Sequence, residues 1–318
     1  MFVLDSHCDT PSQILRNRDI SLDNKGVHVD FPKLRHGGVD GAFFALYIPA
    51  SMQETESLDY SRQMLSGVRD MLDANRSTAA LATSREEAMK NQSKGLISVF
   101  LGLENGSPIG RSLDVLEEFH ASGVRYITLC HSADNEICDS CASVDKRWHG
   151  LSPFGRELVG EMNRKGILVD VSHVSDETFY DVVRYSKEPF VATHSCCRAL
   201  AAHPRNMSDD MIRALASRGG VIQINFYPVF LDGSVTEDNM FSVRMPSYRR
   251  IVDHIDHVVS LVGIDHVGLG SDFDGIDVTP EGMEDVSCFS KVFDEMRLRG
   301  YTESDIEKVA GANFLRLL

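Results

Sequence analysis

Eight short apolar runs, rich in β-branched and aromatic residues, recur along the chain and limit what it can fold into. They span residues 2–7, 41–48, 96–104, 125–131, 167–173, 190–194, 221–226 and 267–272. Each is nearly continuous in its apolar character rather than alternating, the pattern of a strand covered on both faces in a parallel sheet. Parallel strands need crossover connections, and helices usually supply them. Segments with helical spacing lie between most of the runs, at residues 61–72, 113–119, 156–162, 176–185, 209–216 and 248–262. Pro153 precedes the third of these and suits a first helical turn. Gly37, Gly38 and Gly41 read as a turn into the second run. Strand–helix alternation repeated eight times predicts an α/β fold, a (β/α)8 TIM-like barrel. A barrel of this type can hold all 318 residues, and no composition break, linker or short repeat interrupts the chain. Residues 1–318 are therefore expected to form one domain.

What ends each run narrows the function. The first run leads into His7 and Asp9, in Asp5-Ser-His-Cys-Asp-Thr-Pro11. The third ends in Glu104, the fourth in His131, the fifth in His173, the sixth in His194, and the eighth in Asp272, with Asp274 following. Strand side chains alternate faces, so His7 and Asp9 are expected to point the same way. The run interiors hold few such groups, Asp170 being the main exception. A barrel collects the ends of its strands on one rim, where barrel active sites lie. Imidazoles and carboxylates together suit a divalent metal. A catalytic zinc usually takes three protein ligands and keeps one position open. This rim offers more groups than one ion needs. Two metals sharing a bridging carboxylate and a bridging water or hydroxide fit the set better, with Glu104, central in strand order, as the natural bridge. The long polar stretches 131–150 and 227–247 are expected to wall the same rim.

Single residues have plainer readings. His-x-Asp alone also fits a helix-capping Asp beside a packed His. His131 alone could pack or bond a backbone carbonyl. Arg205, after His203-Pro204, also fits a cap for a helix beginning near Ser208. Asp274 reads as a brace for the turn at Gly275 and is left outside the core site. Cys196 and Cys197 read as packed thiols, and Cys138-x-x-Cys141 as structural or incidental. His36, His254 and His257 are expected at the surface or an interface.

Charge and cysteine content exclude several classes. The formal net charge is −15, with 47 acidic against 32 basic residues and no basic cluster; a nucleic-acid partner is not expected. Seven cysteines scattered through a long chain do not make a disulfide framework. No apolar stretch is long enough for a spanning helix, and no basic segment followed by an apolar one opens the chain, so a cytoplasmic location is expected.

Several motifs in order carry a resemblance. They lie at residues 5–11, 102–106, 126–131, 150–155, 170–175, 193–195, 203–206, 267–275 and 311–315, with a step of 21 residues from His173 to His194. On these the chain resembles the membrane (renal) dipeptidase family of zinc dipeptidases, as a bacterial-type soluble member. The resemblance implies a barrel of the amidohydrolase-like, metal-dependent hydrolase type. It implies that His7, Asp9 and Glu104 hold one zinc, and Glu104, His173 and His194 the other. His131 and Arg205 stand where the family contacts substrate, and Asp272 where it places its proton-transferring acid. The implied reaction is hydrolysis of a dipeptide, with tolerance of a D-residue at the C-terminal position. His131 would stabilise oxyanion charge, and Arg205 would pair with the substrate carboxylate. A homodimer without a membrane anchor is the expected assembly. Two departures stand out: His194-Ser-Cys-Cys-Arg-Ala, where bacterial relatives often read His-Ser-Asn-Ala-Arg-Ala, and Cys8 between two expected ligands. Neither removes a ligand. The same site on another substrate would be a binuclear amidohydrolase for N-acyl amino acids, β-lactams or lactones. A non-catalytic metal-binding barrel is the third reading.

Overall fold

The structure, a computed structural model, describes residues 1–52 and 54–318. Its strands are β1 (Leu4–Cys8), β2 (Gly41–Tyr47), β3 (Ala79–Leu81), β4 (Ile97–Glu104), β5 (Val124–Thr128), β6 (Leu168–Asp170), β7 (Val191–Ser195), β8 (Val221–Ile224) and β9 (Val267–Leu269). Eight of them run in the order β1-β2-β4-β5-β6-β7-β8-β9, and β3 pairs off this path beside β4. Every pairing is parallel. The ring closes where the segment after β9 meets β1. The Asp9 N–H donates to the Phe273 carbonyl at 2.8 Å, and the Asp272 N–H to the His7 carbonyl at 3.0 Å. Asp5 adds a side-chain seam, accepting from the Ser271 N–H at 2.8 Å and the Ser271 hydroxyl at 2.5 Å. The architecture is a (β/α)8 barrel, as expected. The short β3 and the helix Arg85–Ser93 were not foreseen. Both are brief, and the helix is mostly polar, so neither leaves a periodic signal.

Serine starts many of the helices. Ser112, Ser152, Ser175 and Ser208 each accept a backbone N–H of the first turn, which satisfies a donor the helix itself leaves open. Pro153 does occupy the first turn of its helix, Pro153–Lys165, and Gly166 ends it at φ +69°, a conformation that favours glycine. No helix among the described residues is long and apolar enough to cross a membrane.

The barrel interior changes character along its axis. Phe43 and Phe100 are partners in register, as are Ala45 and Gly102, then Tyr47 and Glu104. Alternate residues share a face, so one inward column of β4 reads Phe100, Gly102, Glu104. The lower end is an aromatic plug. Phe43 stacks on Phe100 with centroids 4.7 Å apart and meets Phe314 edge-on at 5.2 Å. Phe2, Leu4 and Leu315 complete it. Each Phe buried there contributes about 1.5–3 kcal/mol. Above the plug, a Cβ on Gly102 would stand 2.1 Å from the Tyr126 ring. Glycine at that position lets the tyrosine rise through the barrel axis.

Candidate metal centre

The site forms where these strands end. His7 lies in β1, Glu104 is the last residue of β4, and His194 lies in β7. The other expected residues sit beyond strands rather than in them. β5 stops at Thr128, β6 at Asp170 and β9 at Leu269, so the expected strand ends at His131, His173 and Asp272 are corrected. The residues between each strand end and the site residue stay buried, and periodicity cannot see where the ladder stops. His173 and Asp272 adopt φ of +72° and +64°, conformations uncommon for residues with side chains. Asp9 is the first residue after β1, at the N-cap position of the helix Thr10–Leu15, and makes no side-chain cap bond. The capping reading of Asp9 therefore fails, and its carboxylate is free to face the barrel.

The polar atoms converge on Glu104. His173 Nε2 lies 3.1 Å and His194 Nε2 3.5 Å from Glu104 Oε1. His7 Nε2 lies 3.4 Å from Glu104 Oε2 and 4.0 Å from Asp9 Oδ2. Three groups are close enough to share an ion: His7 with Asp9 and Glu104, Glu104 with His173 and His194, and His7 with His194 and Asp272. The first two share Glu104. His7 Nε2, Asp9 Oδ1 and Glu104 Oε2 are buried without a hydrogen-bond partner, and such atoms are costly unless something binds them. His173 Nε2 and His194 Nε2 lie 2.9 Å apart. Ligand atoms about 2.0–2.1 Å from one tetrahedral zinc stand roughly 3.3 Å apart. The donor set and its spacing fit a divalent metal of that kind.

Burial and crowding set the charges. Glu104 is raised by burial, but His7, His173 and His194 outweigh that and hold it well below the usual carboxylate range. Asp9 is pushed well up, first by burial and then by Glu104, Asp272 and Asp274. His173 is driven well down by burial, with Arg205 and His131 adding to it, and His194 is lowered by burial and by His7. His7 moves the other way: burial would lower it, but Glu104 and Asp272 raise it.

Around this centre lies a cavity of about 750 Å³, walled by Tyr47, His131, His203, Arg205, Tyr227 and Phe230 among others. His131 Nε2 is 3.8 Å from Glu104 Oε1; its Nδ1 has no partner, and burial lowers its pKa. Arg205 is 9% exposed. Its Nη2 donates to the His194 carbonyl at 3.0 Å, its Nε is unpartnered, and its guanidinium lies 5.2 Å over Phe230. Arg205 does not cap the helix Asp209–Ser217, because Ser208 does. Asp272 Oδ2 accepts from Asn225 Nδ2 at 2.8 Å, and its Oδ1 lies 3.9 Å from His7 Nε2. Asp274 is the expected brace, accepting from the Thr10 hydroxyl at 2.8 Å and the His28 N–H at 2.6 Å. Both long segments, 131–150 and 227–247, contribute to the wall.

One histidine was misplaced. His254 is fully buried, not at the surface. Its Nδ1 accepts the Cys197 N–H at 3.0 Å, and its Nε2 lies 3.0 Å from the Leu231 carbonyl. His36 is exposed, and His257 is half-buried against Asp209. Cys196 and Cys197 are buried and free, and Cys138 and Cys141 are also free. Sequence reading missed Tyr126, whose hydroxyl lies 2.8 Å from His7 Nδ1, and Thr193, 2.8 Å from His194 Nδ1. The one available signal was Asp170, a carboxylate inside an apolar run.

Known proteins resemble the chain in sequence and in overall fold. A sequence model of the membrane dipeptidase family, peptidase family M19, matches residues 1–318. The dipeptidase aclJ of Aspergillus oryzae is 36% identical over 298 residues, which is 91% of this chain and 69% of that protein. The crystal structure of dipeptidase AC, a metallopeptidase of family M19, superposes with a TM-score of 0.91 at 31% identity, covering 100% of this chain and 97% of that one. A metallopeptidase from Rhodobacter sphaeroides, liganded with a phosphinate mimic of the dipeptide L-Ala-D-Ala, superposes with a TM-score of 0.91 at 29% identity, covering 100% and 98%.

Proposed function

The chain belongs to the membrane dipeptidase family and is a peptide-bond hydrolase, and from that premise we propose that it is a dipeptidase using two zinc ions. In this reading His7, Asp9 and Glu104 hold one ion, and Glu104, His173 and His194 the other. The observation that carries it is the pair of ligand groups meeting at Glu104, with buried atoms of His7, Asp9 and Glu104 left unpartnered. Zinc bound there would supply a water of lowered pKa and polarise the scissile carbonyl.

The chain's own residues would do the rest. Arg205 offers a buried guanidinium with no carboxylate partner in its contacts. A planar fork of this kind pairs with both oxygens of a free carboxylate, which selects substrates ending one residue past the scissile bond. His131, kept neutral by burial, would stabilise charge developing on the carbonyl oxygen. Asp272, oriented by Asn225, would carry a proton from the attacking water to the leaving nitrogen at its Oδ1. Tolerance of a D-residue at the C-terminal position belongs to the proposal, supported by the L-Ala-D-Ala mimic bound by the Rhodobacter sphaeroides relative. One barrel domain over residues 1–318, paired as a homodimer, completes it.

The test combines metal content with substrate choice. Zinc-loaded protein should carry about two ions per chain by elemental analysis. It should hydrolyse dipeptides of both C-terminal chiralities faster than N-acyl amino acids, β-lactams or lactones. Retention of one ion or none would remove the binuclear site. Turnover of the other substrates in preference to dipeptides would reassign the substrate. Light scattering checks the dimer.

A further inference from the structure

The buried carboxylate of Asp170 takes no part in the chemistry above, yet four donors meet it. Its Oδ1 accepts the backbone N–H groups of Ser172 at 3.0 Å and Thr193 at 2.9 Å. Its Oδ2 accepts the hydroxyls of Thr128 at 2.5 Å and Thr193 at 2.7 Å. Both Asp170 and Thr193 are fully buried. The Thr193 oxygen also lies 2.8 Å from Nδ1 of the neighbouring His194.

Counting protons fixes the direction of that last bond. A threonine hydroxyl has one proton and two lone pairs. Thr193 spends its proton on Asp170, so towards His194 it can only accept. His194 Nδ1 must then carry the ring proton. A neutral imidazole has one N–H, which leaves Nε2 with a bare lone pair, 3.5 Å from Glu104 and 2.9 Å from His173 Nε2. His7 has no such constraint from Tyr126, because a phenol can donate to Nδ1 or accept from it.

We propose that Asp170 and Thr193 are positioning residues that lock His194 in the Nδ1–H tautomer, with Nε2 aimed at the metal shared with Glu104 and His173. The inference rests on the proposed role of His194 as a ligand and adds two residues not assigned to the site. Partners of this kind, one step behind a ligand, typically change metal affinity about 10- to 100-fold when removed. The effect should be confined to one of the two ions, because among the described residues the Thr193 hydroxyl bonds His194 and Asp170 and none of His7, Asp9 and Glu104.

The test uses the full chain with Thr193→Val, which keeps the branched shape and removes the hydroxyl, and Thr193→Ser, which restores it. Competition with a chromophoric chelator reads zinc affinity. Thr193→Val should weaken one ion about 10- to 100-fold and leave the other unchanged, while Thr193→Ser stays close to wild type. In metal-free protein, nitrogen NMR shifts of the His194 ring should report a single tautomer in wild type and Thr193→Ser. Thr193→Val should give a mixture. Wild-type affinity for both ions in Thr193→Val, or a serine variant as weak as the valine one, would overturn the inference alone. Wild-type protein that takes up no metal would overturn the proposed site and this inference with it.

Discussion

The two ends of the same barrel follow opposite rules. At the lower end, Phe43, Phe100 and Phe314 pack in contact with one another, every atom apolar and matched. At the upper end, Glu104 continues the Phe100 column, but its neighbours are histidines and carboxylates with unpartnered atoms. Four of the six non-glycine residues with positive φ among the described residues, Asn105, His173, Asp272 and Asp274, follow strand ends at the rim; the other two, Asn17 and His149, lie in connecting segments. One end is built to be stable, and the other holds groups in a state that only a bound partner completes. Tyr126 joins them: its ring packs 5.0 Å from Phe43, and its hydroxyl reaches His7.

This division predicts that rim and plug substitutions separate cleanly. Asp272→Asn should lower kcat about 100- to 10,000-fold, while zinc content and melting temperature stay near wild type. A loss under about threefold with zinc retained would remove Asp272 from proton transfer. Phe43→Ala at the plug should do the reverse. It should cost about 3–5 kcal/mol of stability in denaturant titration, with kcat per folded molecule unchanged. A catalytic defect of similar size in folded Phe43→Ala would break the division and point to transmission through Tyr126.

His254 sharpens the comparison, since it is a buried histidine beside the rim whose contacts are all structural. Burial pushes its pKa down to about 4. The unfolded chain, with an ordinary imidazole, binds the proton more tightly than the folded one. The stability His254 confers is thus complete above about pH 6.5 and is lost as pH falls from there through 4. That is about 3 kcal/mol over the interval. His254→Gln should be less stable at neutral pH and should lack that part of the acid slope. An unchanged slope in urea titrations across pH 4–7 would show that His254 is not the group responsible. The smallest effect is expected at Arg205. Arg205→Ala should raise KM and reduce the preference for a dipeptide over its C-terminal amide about 10-fold or more, since a hydrogen bond to a charged group is worth about 1.5–3 kcal/mol. Zinc should remain bound. An unchanged acid-to-amide ratio would leave Arg205 a structural role only.

Much of this was legible in the sequence because the barrel repeats one pattern. The eight runs match the eight ring strands. The helix Asp176–Tyr185 falls where its spacing put it. What failed did so for identifiable reasons. The conformations of His173 and Asp272 are backbone facts that apolar patterning does not encode. His254 was readable in principle, since Ile251, His254, Ile255 and Val258 share the buried face of the helix Arg249–Val262. Tyr126 matters through its contact with His7 across the barrel, and Thr193 through a hydroxyl shared between His194 and Asp170 of the neighbouring strand; one sequence without partners to compare cannot reveal either.

The seam between β1 and the segment after β9 has a consequence for synthesis. Asp5 and Ser271 are 266 positions apart, so His7 and Asp9 emerge early and Asp272 late. At about 5–20 residues per second, they wait roughly 15–50 s for the strand that closes over them. During that interval the first strand has one open edge, and the most acidic part of the pocket lies apart from its counterparts. Contacts this distant in sequence slow folding. A circular permutant that opens the chain elsewhere would bring these segments together at once, and its refolding rate would measure how far closure of the ring limits maturation.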